Sequence, residues 1–166
     1  MQNWLTFKHE IITLGVEPTL VCTIIPSDNN SQYGYSIQDN KTWVLLGHVY
    51  FIVINNELVK IGKTDKSLKE RFNSYKSGTT NNRARGTCSL TNFALSEVFR
   101  NSLKENSKIE IWSYNTPTII NSLNVLGEYQ EIIFHTSSKY EQKLIEKFYS
   151  MFGSYPKYSI NTNNLS

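Results

Sequence analysis

The chain has 166 residues, 39% of them hydrophobic, and a formal net charge of +3. This length and composition predict one globular domain and exclude a disordered chain or a small fold that depends on disulfide bonds. No apolar run approaches the roughly 20 residues of a membrane span, and no secretory signal opens the sequence. Cys22 and Cys88 have no zinc-site spacing, so we expect a cytoplasmic protein that contacts no membrane, with Cys22 as a small buried hydrophobe.

The first quarter of the chain, residues 1–46, is interpreted as an N-terminal extension. It begins with a predicted helix at residues 4–14, which has a rough apolar side. An apolar run at residues 19–25 is typical of a strand. The polar stretch at residues 26–41 is predicted to be a loop, with a possible strand at Tyr33–Ile37.

The strongest strand signal of the sequence is at residues 44–54, which are rich in β-branched and other apolar side chains. The strand ends at Asn55-Asn56, a pair that tolerates the positive φ angles of a tight turn. Residues 58–62 then return as the hairpin partner.

The register of this hairpin decides which side chains share a face. A two-residue turn would pair Phe51 with Lys60 and separate Lys60 from Tyr50. A three-residue turn pairs Ile52 with Lys60 and places Tyr50 and Lys60 on one face. We favour the second register because the opposite face then becomes wholly apolar, with Phe51, Val53, Val59 and Ile61.

Six further elements follow in the sequence. They are a helix from Asp65 or Ser67 to before Gly78, with a Ser67–Glu70 capping box; a basic loop at 79–88; a helix at 91–103; a strand at 108–114; an ambiguous segment at 118–134 that could form a hairpin around Leu126-Gly127; and a helix at 138–152 ended by Gly153. The predicted fold is α+β, a small three-stranded antiparallel sheet flanked by helices.

Positive charge is concentrated in one segment. Residues 60–85 contain eight lysines and arginines but only two acidic residues, a net charge of +6, so the rest of the chain carries −3. A basic stripe on an otherwise acidic protein indicates a polyanionic partner. A solvated helix face is the alternative, and the charge pattern alone leaves both open.

Two predicted helices place a charged residue on an apolar face. Arg71 lies between Leu68 and Tyr75 on the packing side of its helix, where its guanidinium either reaches solvent or binds a phosphate. Glu141 extends the apolar stripe of the last helix at its first turn. It is either a helix cap, in a box with Ser138, or a site residue.

The histidines and two strand residues also have ordinary interpretations. His9 and His135 have no partner at metal-ligand spacing, and His48 is interpreted as a polar cap at a strand start. Tyr50 is alternatively a half-buried strand aromatic, and Lys60 an exposed strand end.

Together these residues resemble the GIY-YIG nuclease superfamily. His48-Val49-Tyr50 and Lys60-Ile61-Gly62 are similar to its two signature strands, and Arg71, Tyr75 and Glu141 follow in the order of that pattern. His48 replaces the first glycine, and Lys60 replaces the second tyrosine. That lysine, and the stretch 86–92, are similar to the compact type II restriction enzymes of the superfamily. The resemblance covers residues 47–156.

The resemblance implies hydrolysis of a DNA phosphodiester with one Mg²⁺ per site, which Mn²⁺ can replace. It implies that Glu141 ligates the metal, that Tyr50 contacts or deprotonates the attacking water, with Lys60 as the alternative base, and that Arg71 stabilises charge on the phosphate. Tyr75 would bind the phosphate by a hydrogen bond. Lys63 is a further site residue, and Asn161 a weaker candidate.

DNA reading is assigned to residues 79–92. The predicted DNA-binding residues are Lys66, Arg83, Arg85, Thr87, Ser89 and Asn92. The leading hypothesis is a type II restriction endonuclease that cuts double-stranded DNA as a homodimer, with a DNA methyltransferase as its genetic partner. A repair or mobile-element nuclease and a catalytically inactive DNA-binding module are the alternatives.

Overall fold

The computed structural model describes residues 3–28 and 32–159. Its elements in chain order are α1 Trp4–Thr13, β1 Thr19–Pro26, β2 Tyr33–Ile37, α2 Asn40–Val44, β3 Leu46–Ile54, β4 Glu57–Ser67, α3 Leu68–Lys76, α4 Thr80–Ala84, α5 Leu90–Lys104, β5 Ile109–Asn115, β6 Thr118–Val125, β7 Glu128–His135 and α6 Ser137–Phe152. The predicted α+β class is confirmed. Among the described residues, every helix is too short or too polar to cross a membrane.

The main sheet has five antiparallel strands in the order β2-β1-β5-β3-β4. The prediction of three strands was therefore short by two. The missing strands are β1 and β2, which we had assigned to an N-terminal extension. Because β1 pairs with β5, they continue the sheet that carries β3 and β4. Strand signals along a sequence are local, whereas the choice of a partner strand is not.

The β3–β4 hairpin has the predicted register for a different reason. Ile54 pairs with Glu57, so the turn has two residues, and the predicted three-residue turn was wrong. Ile52 nevertheless pairs with Lys60 because a β-bulge follows it, which takes up one residue of β4. The bulge also changes the faces: Val59 packs with Tyr50, and Leu58 takes the place predicted for Val59.

Each face of the sheet is covered by helices. On the first face, Tyr50 and Ile52 pack with α2, α3 and α5 in a cluster rich in aromatic side chains, which include Trp43, Phe72, Tyr75 and Phe99. On the second face, Phe51, Val53 and Ile61 pack against α1 and α6 through Trp4, Phe7, Ile11, Leu144 and Phe148. The three layers bury large apolar surfaces on both sides of β3, which makes it the centre of the fold.

The helix boundaries follow the sequence signals closely. Ser67 and Glu70 form the predicted capping box at the start of α3, and Gly153 ends α6 with a left-handed φ of 69°. The predicted basic loop at 79–88 contains the one-turn helix α4. Cys22 is buried as predicted, and burial raises the pKa of its thiol to about 12.

The start of α6 is inconsistent with the interpretation of Glu141 as a helix cap. The N-cap is Thr136, and no side-chain hydrogen bond caps this end of the helix. The capping box between Ser138 and Glu141 was therefore wrong. The carboxylate of Glu141 is consequently not engaged at the end of its own helix.

The ambiguous segment at 118–134 forms the possible hairpin. Strands β6 and β7 pair with each other in a separate two-stranded sheet, joined by the Leu126-Gly127 turn. Neither core cluster includes any of its residues. Its two ends are held together by a hydrogen bond of 2.5 Å from Thr136 Oγ1 to the Pro117 carbonyl.

Candidate active site

A cleft of about 290 Å³ brings together five of the six predicted catalytic residues. They come from four elements: Tyr50 from β3, Lys60 and Lys63 from β4, Arg71 from α3 and Glu141 from α6. The remaining lining residues are Gly62, Ser89, Thr91, Asn92 and Ser159. Residues 91 positions apart in the sequence thus share one polar surface between the sheet and the start of α5.

Tyr50, Arg71 and Tyr75 form one hydrogen-bonded group at the base of the cleft. Arg71 Nε donates to the Tyr50 hydroxyl at 3.1 Å, and the hydroxyls of Tyr50 and Tyr75 are 2.6 Å apart. The Arg71 guanidinium also lies over the Tyr75 ring, 4.5 Å from its centre. Tyr75 is fully buried, so its hydroxyl has Tyr50 as its partner rather than the exposed position that we expected for a phosphate contact.

Burial and the neighbouring tyrosine oxygens shift the pKa values of Tyr75 and Arg71. Burial, and then the Tyr50 oxygen, raise the pKa of Tyr75 well above its ordinary value. Burial alone would lower the pKa of Arg71, but the Tyr50 and Tyr75 oxygens raise it. Tyr75 therefore keeps its proton and Arg71 its charge, so both can donate to the Tyr50 oxygen.

Gly62 provides the space in which the Tyr50 ring lies. The two residues are paired across β3 and β4. A Cβ atom added at Gly62 would lie 2.5 Å from both Cζ and Oη of Tyr50, closer than real Cβ contacts come. Any larger residue at this position must displace either the tyrosine ring or the β4 backbone.

Lys60 is a buried amine at the edge of the cleft. Its side chain is only 7% exposed, so the alternative of an exposed strand end was wrong. Nζ donates a hydrogen bond of 2.6 Å to the Tyr158 carbonyl. Burial, against the opposing charge of Glu141 and with a smaller contribution from Arg71, lowers the Lys60 pKa to about 8. The neutral amine is thus accessible near physiological pH.

The segment after α6 forms part of the site through Tyr158 and Ser159, which were not among the predicted site residues. It runs along the outer edge of β4, where Tyr158 N donates to the Val59 carbonyl at 2.9 Å. The Ser159 hydroxyl accepts from Ile61 N at 2.7 Å and donates to the Ile61 carbonyl at 3.2 Å. These contacts fix the carbonyl that holds Lys60. The candidate Asn161 lies outside the described residues.

Glu141 reaches this cleft from the other side of the sheet. Helix α6 packs on the second face, but β4 is an edge strand, so the first turn of the helix can approach the cleft past that edge. The carboxylate is half-buried. Burial raises its pKa, while Lys60, Lys63 and Arg71 oppose the shift. Within residues 3–28 and 32–159 it has no hydrogen bond or ion pair.

The donor set fits one kind of metal site. The described part of the chain has no group of three or more His, Cys, Asp or Glu side chains that could enclose an ion. One unpaired carboxylate beside a polar cleft suits Mg²⁺, which keeps several waters and binds through one or two carboxylates plus substrate phosphate oxygens. Glu141 is the residue that would hold it, which stays a prediction.

A small polar network orients the start of α6. Lys63 Nζ lies 3.7 Å from Asp65 Oδ2, and the buried Ser137 hydroxyl donates to Asp65. Ser137 is the first residue of α6, and Glu141 lies one turn further on. Neither Asp65 nor Ser137 carries a sequence signal for this role, because their contact joins positions 72 residues apart.

Two predicted DNA-binding residues line the cleft, and each also stabilises the fold. Ser89 caps α5 by accepting from Asn92 N at 3.1 Å, and Asn92 Nδ2 donates to the Ser74 carbonyl at 3.1 Å. Thr91, between them, also lines the cleft.

The other predicted DNA-binding residues lie outside the cleft lining. Lys66, Arg83, Arg85 and Thr87 are all exposed. Lys66 pairs loosely with Glu70 at 3.8 Å, so these cations remain open to an anionic partner.

His48 has the structural role that we predicted. Its Nε2 lies 2.9 Å from the Leu45 carbonyl, and its Nδ1 lies 3.0 Å from the Ser113 hydroxyl. Burial lowers its pKa, so the ring is neutral. Both nitrogens are engaged at the start of β3, which leaves no reason to treat His48 as a ligand.

Comparison with known proteins places this fold among nucleases. No family model matches the chain. A stretch of 65 residues is 45% identical to endonuclease II of Enterobacteria phage T4; it spans 39% of this chain and 43% of that protein, less than half of either. Two solved structures match almost the whole chain.

The first is the restriction endonuclease HPY188I in complex with product DNA. It has a TM-score of 0.61 and 23% identity, and the match covers 99% of this chain and 86% of that one. The second is a mutant of bacteriophage T4 EndoII, with a TM-score of 0.59 and 27% identity over 93% of this chain and 99% of that one. The α+β architecture is therefore shared with these two enzymes.

Proposed function

We propose that the protein is a metal-dependent DNA endonuclease of the GIY-YIG type, and that it acts as a type II restriction enzyme. The observation that carries the proposal is the convergence of Tyr50, Lys60, Arg71 and Glu141 on one cleft, in a fold shared with two DNA-cutting enzymes. A tyrosine, a buried lysine, an arginine and a free carboxylate together offer what phosphodiester hydrolysis requires: an anion site, a proton acceptor and a metal ligand.

The scissile phosphate would bind beside Arg71. Its guanidinium is held by Tyr50 through Nε and by the Tyr75 ring beneath it, so its orientation is fixed before substrate arrives. A pre-oriented cation stabilises the additional negative charge that develops on the phosphate oxygens in the transition state. The Lys63 amine lines the same cleft and adds a second positive charge.

The attacking water would be oriented by Tyr50 and deprotonated by Lys60. The Tyr50 hydroxyl accepts from Arg71 Nε at 3.1 Å and is hydrogen-bonded to the Tyr75 hydroxyl at 2.6 Å, which fixes the ring against rotation. Lys60, with a pKa of about 8, accepts the proton from water, and the resulting hydroxide attacks phosphorus as the bond to the leaving oxygen breaks. The leaving alkoxide then takes a proton from solvent.

Glu141 would hold Mg²⁺, or Mn²⁺ in its place. When bound, the metal supplies Lewis-acid stabilisation of the phosphate and the leaving oxygen. The contribution of the chain is to keep a half-buried carboxylate unpaired and to fix its helix through the contact between Asp65 and Ser137.

Site-specific cleavage is supported by the polar rim of the cleft. Ser89, Thr91 and Asn92 stand at the cleft, and Arg83 and Arg85 are exposed on the adjoining segment. Arginine and asparagine are the side chains best suited to guanine and adenine edges. We expect a homodimer on palindromic double-stranded DNA and a DNA methyltransferase as genetic partner.

The test is digestion of unmethylated phage DNA with Mg²⁺ and with EDTA. We compare the wild type, Glu141→Gln and the control Glu146→Gln, which removes an exposed carboxylate of the same helix. Discrete bands that require Mg²⁺, persist in Glu146→Gln and vanish in Glu141→Gln are the expected result. A smear would overturn the restriction hypothesis, and intact DNA with salt-sensitive binding would identify a binding module.

A further inference from the structure

Residues 79–87, which we call the basic segment, leave the body of the protein between α3 and α5. They include Arg83 and Arg85 but no acidic residue, and within this described range no residue is buried. Helix α4 of the segment has only five residues, too few to be stable without support. Gly78 and Cys88, which flank the segment, are both buried. The position of the two arginines is therefore set mainly at these two ends.

The Gly78 end lies directly against helix α5. A Cβ atom added at Gly78 would lie 2.3 Å from the Asn92 carbonyl oxygen and 2.8 Å from Ser96 Cβ, both on α5. Real Cβ contacts are longer than this, so only a glycine lets the two backbones approach so closely. The peptide that begins the basic segment is thus in close contact with α5.

Arg100, also on α5, holds this junction through three hydrogen bonds. Its Nη2 donates to the Gly78 carbonyl at 2.7 Å, and its Nη1 donates to the Ser96 hydroxyl at 2.9 Å. Its Nε donates to the Glu97 carboxylate at 3.1 Å. The Arg100 side chain is only 15% exposed. Because the donors of a guanidinium lie in one rigid plane, these acceptors fix the direction of the Gly78 carbonyl.

The surroundings of Arg100 show that it acts within the protein. Ser96 is fully buried, and its hydroxyl lies 3.2 Å from the hydroxyl of Tyr33 on β2, which connects the junction to the main sheet. Glu97 forms an ion pair with the guanidinium and compensates its charge. Arg100 therefore differs from the two exposed arginines of the basic segment, which remain open to an anionic partner.

The other end of the basic segment also joins α5. Arg83 Nη1 donates to the Cys88 carbonyl at 3.4 Å, and the next residue, Ser89, is the N-cap of α5. The start of α5 lines the candidate catalytic cleft through Ser89, Thr91 and Asn92. Both ends of the basic segment are thus attached to the helix that borders the cleft, so α5 fixes the distance between the two.

We infer that Arg100 is a positioning residue for sequence recognition: by holding the Gly78 carbonyl, it fixes where Arg83 and Arg85 stand relative to a phosphate in the cleft. A loose segment would reach DNA in several orientations and lose conformational entropy on binding, which weakens both affinity and selectivity. The chemical step would be unaffected, because Arg100 contacts none of the predicted catalytic residues. The role in recognition rests on the proposed function, whereas the ordering of the segment does not.

The first test is limited digestion with trypsin, without DNA or metal. Arg100→Lys keeps the charge but not the guanidinium plane, and Gly78→Ala pushes the same junction apart from the other side. The control is Lys104→Met, an exposed residue one turn further along α5. Because proteolysis requires local opening, cleavage after Arg83 and Arg85 should be at least about tenfold faster in both variants than in the wild type and control.

Two results of this digestion would overturn the inference. One is cleavage after Arg83 and Arg85 at the wild-type rate in both variants. The other is equal acceleration at every lysine and arginine of the chain, which would show that Arg100 stabilises the whole fold rather than this segment.

The second test is digestion of unmethylated phage DNA with Mg²⁺, followed by sequencing of the fragment ends. A merely destabilised enzyme cuts every site more slowly but gains no new sites. The wild type and Lys104→Met should cut at one sequence, and both junction variants should also cut at sequences that differ by one base pair. At the preferred sequence we expect KM to rise about tenfold and kcat to stay within about threefold.

The two tests separate the failure of this inference from that of the proposed function. Unchanged cleavage positions in both junction variants would overturn the role of Arg100 in recognition. A wild type that leaves DNA intact would overturn the proposed function and, with it, the role in recognition. Trypsin digestion would still decide whether Arg100 orders the basic segment.

Discussion

The β3–β4 hairpin turns at Asn55-Asn56 and the β6–β7 hairpin at Leu126-Gly127, and all four residues have positive φ. We call β3–β4 the first hairpin and β6–β7 the second. The first hairpin is buried on both faces and carries Tyr50, Lys60 and Gly62 in the candidate site. The second is exposed along almost its whole length. Similar backbone geometry therefore serves two different purposes. In the first hairpin the surrounding core determines which side chains fit, whereas neither core cluster of the described residues includes any part of the second.

The largest difference between the two hairpins should come from replacing one glycine in each, Gly62 in the first and Gly127 in the second. Gly62→Ala places a Cβ within 2.5 Å of Tyr50 Oη, which displaces the ring and breaks its bonds to Arg71 and Tyr75. We expect DNA cleavage to fall at least 100-fold and the free energy of unfolding to fall by about 2–3 kcal/mol. Cleavage assays and urea denaturation measure the two effects.

Gly127→Ala is the control in the second hairpin. A Cβ there meets nothing within 4 Å, although the φ of 92° remains strained. We expect this substitution to lower the stability of the hairpin by about 1 kcal/mol and to leave DNA cleavage unchanged. Equal effects of the two substitutions on cleavage would contradict the assignment of Gly62 to the site.

The next prediction concerns the pH dependence of DNA cleavage. If Lys60 accepts the proton from water, kcat/KM should rise about tenfold per pH unit below about 8 and level off above it, because only the neutral amine is active. Lys60→Arg should remove the activity at every pH, since a guanidinium stays protonated. A flat kcat/KM profile between pH 6 and 8 in the wild type would assign the proton transfer to another group.

A third experiment tests whether burial of Lys60 in the candidate site lowers the stability of the folded protein. Burial lowers the Lys60 pKa from 10.5 to about 8, so the folded state binds fewer protons than the unfolded state between these values. The shifted pKa of Lys60 therefore lowers the free energy of unfolding by its full amount below pH 8, and this effect disappears as pH rises toward 10.5. Lys60→Met should therefore raise the free energy of unfolding at pH 7 by about 2 kcal/mol, after the lost bond to the Tyr158 carbonyl is subtracted.

The control for this stability experiment is Lys139→Met, at an exposed position near the start of α6. Its free energy of unfolding should change by less than about 0.5 kcal/mol and show no added pH dependence. If the advantage of Lys60→Met persisted at pH 10.5, desolvation of the amine would not be its cause.

The smallest effect is expected at the tip of the second hairpin. Leu126→Asn gives this turn the residue type that the first hairpin uses, and asparagine adopts left-handed φ at lower cost. We expect a gain of less than about 1 kcal/mol in hairpin stability, seen by hydrogen exchange of the β6 amides. Faster exchange of these amides in the variant than in the wild type would show that the positive φ of Leu126 is not what limits the stability of the turn.

Local sequence signals predicted the first hairpin better than its surroundings. The requirement that apolar residues share one face was enough to pair Ile52 with Lys60, although the bulge that creates this register was not foreseen. The bulge exchanged Leu58 and Val59 between the faces because one inserted residue reverses the alternation of a strand. Spacing also placed Arg71 and Tyr75 together on α3, since i, i+4 neighbours share a helix face.

Contacts between distant segments were the part that could not be predicted. The pairing of β1 with β5, the bond from Ser137 to Asp65 and the passage of the 158–159 segment along β4 each join positions that carry no matching pattern. Serine and a backbone carbonyl are used everywhere in proteins, so their residue types do not identify them as parts of a site. For the second hairpin, the sequence indicated the turn but not that both faces stay exposed.

The contact between Lys60 and Tyr158 spans 98 positions and has a consequence for the order of events during synthesis. A chain emerges from the ribosome N-terminal end first, and a segment can fold before the rest is made. When β3, β4 and α3 have emerged, Tyr50 and Arg71 can already meet, but Glu141 and the carbonyl that orients Lys60 have not yet been translated. Under the proposed function, a half-made chain would therefore have the arginine that binds the phosphate but would lack its metal ligand and its oriented base, so it could not yet cut DNA.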